Sequence, residues 1–162
     1  MPVTTDIVAT YRGPGKVVRR LLAAGPREDR ALVIVMASCV VMFVARWPAI
    51  AREAHLTGKE LNMELGGALM GGVFILPLVL YFLAFLSHGV FRLFKGQGTQ
   101  YGARLALFWA LLAASPLALL NGLVAGFIGP GPALTAVGVL WAAVFLWFWL
   151  RGLYVAETEP VA

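Results

Sequence analysis

The chain has 162 residues, of which 60% are hydrophobic and 13% are charged, whereas soluble domains carry about 25% charged residues. This composition excludes an ordinary water-soluble fold and favours an all-α integral membrane bundle. The net charge of +5 does not indicate nucleic-acid binding, because the basic residues flank apolar segments, where membrane proteins concentrate Lys and Arg.

Residues 1–30 are predicted to form a basic cytoplasmic N-terminal segment that contains a short amphipathic interfacial helix. Its apolar side chains recur at helical spacing: Val17, Val18, Leu21 and Leu22. The pair at 25–26, Gly-Pro, ends the pattern. Because arginines interrupt every apolar stretch here, a cleaved secretory signal is not expected.

Four later segments are apolar over the roughly 20 residues that a hydrocarbon core about 30 Å thick requires. In chain order they are 31–50, 65–87, 105–128 and 133–150. The turn at 129–132 (GPGP) separates the last two, because no helix interior tolerates it. The sequence therefore predicts a four-span membrane domain over 31–153, followed by a short acidic tail over 154–162. A weak amphipathic pattern over 48–64 indicates a second interfacial helix.

The positions of the basic residues predict the orientation of the spans. Most of the 13 Lys and Arg residues fall on the side of the N-terminus, and only Arg46, Arg52 and Lys59 fall on the other. Since cytoplasmic loops are enriched in Lys and Arg, both termini are predicted to be cytoplasmic. The richness in Ala, Leu and Gly, with ten Arg against three Lys, is typical of a high-GC bacterial genome, which indicates a bacterial inner membrane.

Ionisable residues near the middle of a span usually mark a catalytic or transport site, and the predicted spans contain none. His88 and His55 are interpreted as ordinary histidines near the membrane surface rather than as metal ligands or pH switches. The single cysteine, Cys39, allows neither a disulfide nor a multi-cysteine metal site. Enzyme activity, a cofactor and a metal site are therefore not expected.

Glycines at GxxxG spacing allow two helices to approach closely. Gly67 and Gly71 form one such pair on the second span, and Gly122 and Gly126 form another on the third. Packing within the chain, with the two pairs as partners, is favoured over a homodimer seam, because small residues are common in membrane helices generally.

Two prolines and two polar residues interrupt the apolar spans. Pro77 and Pro116 each remove a backbone hydrogen bond, so kinks are expected at both. Ser115 and Asn121 are interpreted as interhelical hydrogen-bonding groups, and the alternative is that they line a polar cavity.

Six basic residues on the predicted inner side are candidate contacts for anionic lipid headgroups: Lys16, Arg19, Arg20, Arg92, Lys95 and Arg104. Each such contact contributes about 1 kcal/mol near a membrane surface. The glycine-rich loop among them, at 95–102, is not a phosphate-binding loop, because the order of Gly and Lys is wrong and no strand precedes it.

Short motifs in the second half of the chain resemble those of the Yip domain family. They are 94–99 (FKGQGT), 114–116 (Ala-Ser-Pro), Trp141 and 150–153 (LRGL). The family comprises small polytopic membrane proteins named for binding Ypt/Rab GTPases, and it offers no catalytic residues to transfer. Family members generally have five spans and the eukaryotic ones a long N-terminal region, so a Rab-binding role is not carried over to this chain.

The predicted function is that of a non-enzymatic accessory or membrane-organising component that acts through helix–helix and lipid contacts. The predicted partners are the lipid bilayer, its anionic lipids in particular, and a membrane protein or a second copy of the chain. The alternative is a small transporter or channel subunit with a path near Ser115 and Asn121.

Overall fold

The structure, a computed structural model, describes residues 3–25, 27–96 and 98–158. The regular structure in these ranges is helical. The α-helices are α1 Val3–Arg12, α2 Pro14–Ala23, α3 Glu28–Thr57, α4 Leu61–Leu69, α5 Leu76–Leu93, α6 Gln100–Ala113, α7 Ser115–Phe127 and α8 Pro132–Thr158. A π-helical segment, Met70–Ile75, makes α4 and α5 one continuous helix.

The predicted all-α membrane bundle is confirmed. Three helices are long and apolar enough to cross a membrane: α3, the α4–α5 helix and α8. The bent pair α6 and α7 makes a fourth span if the two are taken together. The chain is therefore a multi-pass membrane protein.

Proline accounts for both irregularities within the spans. Pro116 lies in the first turn of α7, and α6 and α7 meet there at an angle of 44°, so the predicted kink at this residue is confirmed. Pro77 lies two residues after the end of the π-helical segment. Since proline has no N–H and its ring crowds the carbonyl four residues earlier, the wider π turn relieves that clash.

The interfacial helix predicted over 48–64 is wrong as a separate element. Residues up to Thr57 continue α3, and Pro48 lies inside that helix. The amphipathic stripe therefore belongs to the span itself. The break comes at Gly58, whose φ of 73° is the left-handed conformation that commonly ends a helix.

Helix α6 forms the centre of the molecule, and α1, α2, α3, α5 and α8 all contact it. Nearly every side chain from Tyr101 to Ser115 is buried. Large apolar side chains on the outer helices are exposed, as expected for a surface that faces lipid. On the α4–α5 helix these include Phe74, Leu78 and Phe82, each more than 60% exposed.

The N-terminal helices complete the enclosure of α6. Helix α2 buries Val17, Val18 and Leu22, with Val18 beside Gly152 of α8 and Leu22 beside Gly102 of α6. The predicted amphipathic helix is thus present and its apolar side packs on the bundle. Its position in the membrane interface stays a prediction, and Pro26, the predicted stop, lies outside the described residues.

The two ends of the bundle differ in composition. At one end, termed the loop end, α2, the loop at 94–99 and the last turns of α8 lie together, since Gly98 approaches Ala156 and Gly15 approaches Arg151. The turn at 128–131 lies at the other end, termed the turn end, because α8 runs for 27 residues, about 40 Å, between the two. There Arg52 of α3 donates a hydrogen bond of 3.3 Å to the Gly126 carbonyl.

Candidate functional site at the loop end

A buried polar pair joins α5 to α8 at the loop end. His88 Nδ1 lies 2.8 Å from Glu157 Oε1, and the two residues are 4% and 0% exposed. The second carboxylate oxygen, Oε2, is buried without a hydrogen-bond partner among the described residues. A buried polar group without a partner lowers the stability of a folded protein. The contact between His88 and Glu157 is therefore expected to stabilise the fold, because each side chain gives the other a partner.

The sequence did not reveal this pair. Glu157 falls in the predicted acidic tail over 154–162, but α8 continues to Thr158, and Val155, Ala156 and Glu157 are buried. The physical reason is that the last turns of α8 pack beneath the loop at 94–99 instead of entering solvent. One signal was available, since no proline occurs between Pro132 and Pro160 to stop the helix at 150.

The loop at 94–99 lies directly over the end of α8 because its glycines lack side chains. A Cβ at Gly98 would overlap the Ala156 carbonyl oxygen, and it would lie only 2.9 Å from the carbonyl carbon. A Cβ at Gly96 would lie 3.0 Å from Glu157 Oε2. The Gly96 N–H donates a hydrogen bond of 2.7 Å to the Phe91 carbonyl, and this bond closes the C-terminal end of α5. Gln97 lies outside the described residues.

Gly98→Ala is expected to lower the thermal unfolding temperature of the detergent-solubilised protein, because the new methyl group forces the loop away from α8. Overpacking of this kind costs about 1–3 kcal/mol. Gly89→Ala on α5 is the matched control, since a Cβ there has nothing within 4 Å and alanine is the better helix former. Equal unfolding temperatures for the two variants would refute the close contact.

Helix α1 is fastened to α6 by side-chain hydrogen bonds. Trp109 Nε1 donates to Thr10 Oγ1 at 3.0 Å, and the Thr10 hydroxyl donates to the Asp6 carbonyl at 2.7 Å. The Tyr11 hydroxyl donates to the Ala113 carbonyl at 2.7 Å. The Ala113 carbonyl is able to accept this bond because the N–H of Leu117, four residues later, donates to the Ala114 carbonyl instead. Burial raises the pKa of the Tyr11 phenol, which keeps the hydroxyl a donor.

The structure divides the six predicted headgroup residues into two groups. Arg20 pairs with Asp6 and Arg104 pairs with Glu28, so these two cations are already neutralised by carboxylates. Arg19 is exposed. The remaining three are also exposed and have no ion-pair partner in the part of the chain that the structure describes: Lys16, Arg92 and Lys95.

The glycines predicted to mediate helix packing have different surroundings. Gly122 of α7 lies against Ala45 of α3, and a Cβ at Gly122 would be 2.7 Å from the Ala45 carbonyl carbon. Gly126 lies equally close to the backbone of Pro48. Gly67 and Gly71 have nothing within 4 Å of an added Cβ. The predicted pairing between the two GxxxG motifs is therefore wrong, and α3 is the partner of α7.

Ser115 and Asn121 are not brought together. The Ser115 hydroxyl donates to the Leu112 carbonyl of the preceding turn at 2.6 Å. Asn121 lines a cavity between α3, α7 and α8 to which Ser115 does not contribute. Among the described residues, no group of three or more His, Cys, Asp and Glu side chains is placed to hold a metal ion.

A sequence profile of the Yip1 domain matches residues 8–161. No curated protein and no solved structure matches the chain. The matched range includes both members of the buried pair, the loop at 94–99, the second half of α1 and all of α2. The features that meet at the loop end therefore belong to one homologous unit.

Proposed function

Because this chain belongs to the Yip1 domain family, we propose that it is an accessory or membrane-organising protein of the bacterial inner membrane. The family generally comprises non-enzymatic membrane-trafficking proteins. In this proposal the chain performs no chemistry of its own. It acts by binding anionic lipid and a neighbouring membrane protein.

The exposed basic surface of the loop end, formed by Lys16, Arg92 and Lys95, is the observation that supports this proposal. These residues come from three different parts of the fold, namely α2, α5 and the loop at 94–99. The packing of α2 on α6 and α8 and of the loop on α8 holds their backbones in place. A positioned cluster of cations attracts anionic headgroups more effectively than cations on a flexible tail, because less conformational entropy is lost on binding.

The same surface supports the proposal that the loop end faces the cytoplasm and that both termini lie on that side. At the turn end, Arg52 bonds to the Gly126 carbonyl and Lys59 lies 4.0 Å from Glu64. Arg46 is the one exposed cation of that half without an ion-pair partner among the described residues. The exposed cations without carboxylate partners are therefore more numerous at the loop end, and cytoplasmic surfaces of membrane proteins are the ones enriched in Lys and Arg.

Changing Lys16, Arg92 and Lys95 together to Gln is expected to lower the enrichment of anionic lipid around the protein well below that of the wild type. The protein is placed in vesicles of phosphatidylcholine with a minority of phosphatidylglycerol and is then extracted with its surrounding lipid by a polymer. The measurement is the phosphatidylglycerol content of the extracted particles. Each removed cation is expected to reduce the enrichment by up to about fivefold, equivalent to about 1 kcal/mol. High salt is expected to have the same effect on the wild-type protein, because salt screens exposed charges.

Lys59→Gln at the turn end is the matched control, since it removes one exposed charge from the opposite surface. Enrichment in the triple variant equal to that of the wild type, or wild-type enrichment that does not respond to salt, would refute the lipid-binding surface. The accessory role would be contradicted separately if cross-linking in native membranes, at native expression, yielded only a monomer with no protein neighbour.

A further inference from the structure

A cavity of about 430 Å³ lies between α3, α7 and α8, away from the loop end. Its walls are apolar except at three residues: Arg46, Asn121 and Trp141. Asn121 is six residues from the end of α7 and Trp141 nine residues from the start of α8. These separations place the polar atoms about 9–14 Å below the turn end, near the depth at which headgroups meet acyl chains.

Two of these residues present buried polar atoms that the protein leaves without a partner. Asn121 Oδ1 and Trp141 Nε1 are both inaccessible to solvent and have no hydrogen-bond partner among the described residues. The Trp141 ring stacks on Phe145, with ring centroids 5.5 Å apart and planes 6° apart, so its N–H direction is fixed. Most buried polar groups in proteins are hydrogen-bonded, so an acceptor and a donor left unpaired beside one cavity point to a ligand that supplies their partners.

Arg46 supplies the charge at this cavity. It is exposed and has no ion-pair partner in the described ranges, and it follows fifteen uncharged residues of α3. A cation at this depth is costly unless it reaches water or an anion. The guanidinium fork matches the oxygen geometry of a phosphate.

We propose that this cavity binds the headgroup of an anionic phospholipid that carries a hydroxyl, the chemistry of phosphatidylglycerol. The phosphate pairs with Arg46, the Trp141 N–H donates to a phosphate or ester oxygen, and the headgroup hydroxyl donates to Asn121 Oδ1. The apolar walls, which include Met42 and Leu134, contact the start of the acyl chains. This site is separate from the basic surface of the loop end and does not depend on it.

The test is native mass spectrometry in detergent of the full-length protein carrying Lys16→Gln, Arg92→Gln and Lys95→Gln, which lacks the basic surface of the loop end. The protein is titrated with phosphatidylglycerol or phosphatidylcholine. One phosphatidylglycerol per chain is expected to bind about tenfold more tightly than phosphatidylcholine, and Arg46→Gln is expected to remove that preference. Trp141→Phe, which removes the indole N–H but keeps an aromatic ring to stack on Phe145, is expected to weaken binding severalfold. Lys59→Gln, which removes an exposed cation that belongs to neither proposed lipid site, is the control and is expected to leave this one-to-one binding unchanged.

Three results would overturn the proposal. Equal retention of the two lipids would show that the cavity does not select an anionic headgroup. An equal loss from Arg46→Gln and Lys59→Gln would show that net charge, and not the cavity, holds the lipid. Displacement of the lipid by millimolar inorganic phosphate would identify a site for a free anion. If Arg46→Gln fails to fold, the Trp141→Phe variant is sufficient by itself, because unchanged lipid binding by that variant would refute the proposal.

Discussion

Replacing Glu157 with alanine is expected to lower the free energy of unfolding by about 3 kcal/mol. Loss of a buried hydrogen-bond partner costs up to about this much, and breaking a buried ion pair costs at least about this much. The substitution removes the carboxylate that lies 2.8 Å from His88 Nδ1. The imidazole, only 4% exposed, is then left buried without that partner. The measurement is the thermal unfolding temperature in detergent, followed by intrinsic tryptophan fluorescence.

Two further variants separate the pair from its surroundings. Glu157→Gln keeps the size and one hydrogen-bonding oxygen, so it is expected to lose less stability than the alanine variant. The double variant His88→Leu and Glu157→Leu removes both polar groups. Its unfolding temperature is expected to lie nearer that of the wild type than the unfolding temperature of Glu157→Ala does, because neither group is then left buried and unpaired. Glu53→Ala, on an exposed position of α3, controls for the loss of one carboxylate. Equal destabilisation by Glu53→Ala and Glu157→Ala would refute the importance of the buried pair.

The membrane-spanning architecture was predictable because bilayer thickness sets the length of an apolar helix. The ends of the helices were not. The predicted spans stop at 50, 87 and 150, where charge or polarity appears, whereas the helices continue to Thr57, Leu93 and Thr158. Hydropathy detects where a helix leaves the hydrocarbon. It carries no information about tertiary contacts that extend the helix beyond it, and Glu157 was missed for that reason.

Helix α1 was unpredictable for a related reason. Three of its first four residues are threonine or aspartate, namely Thr4, Thr5 and Asp6, and such residues favour caps and turns over helix interiors. Tertiary contacts stabilise it instead, through Thr10 and Trp109 and through Tyr11 and the Ala113 carbonyl. A local pattern cannot show a stabilising contact that is about one hundred residues away in the chain.

The two GxxxG motifs show what a sequence pattern leaves undetermined. Both contain glycines four residues apart on an apolar helix, which indicates that another backbone is able to approach. Only Gly122 and Gly126 are in fact approached, by Ala45 and Pro48 of α3. The pattern specifies a smooth helix surface, and the choice of its neighbour depends on how the remaining helices pack around α6.

Gly122→Ala is expected to be the most damaging single-methyl addition in the transmembrane part of the chain. The new Cβ would overlap the Ala45 carbonyl oxygen, and this is backbone on a 30-residue helix that cannot rotate away as a side chain can. The α3–α7 contact must therefore separate. A cost above the usual 1–3 kcal/mol for overpacking is expected, measured as a lower unfolding temperature and a smaller yield of folded protein from membranes.

Gly67→Ala adds the same methyl group to the same motif on a surface where nothing lies within 4 Å. It is expected to leave the unfolding temperature unchanged or slightly raised, because alanine is the better helix former by about 1 kcal/mol. The difference between the two variants then measures the helix contact alone, since helix propensity and added volume are matched. If Gly67→Ala were the more damaging of the two, α4 would have to be packed against another chain in the folded protein, and the α3–α7 contact would not be the tightest in the bundle.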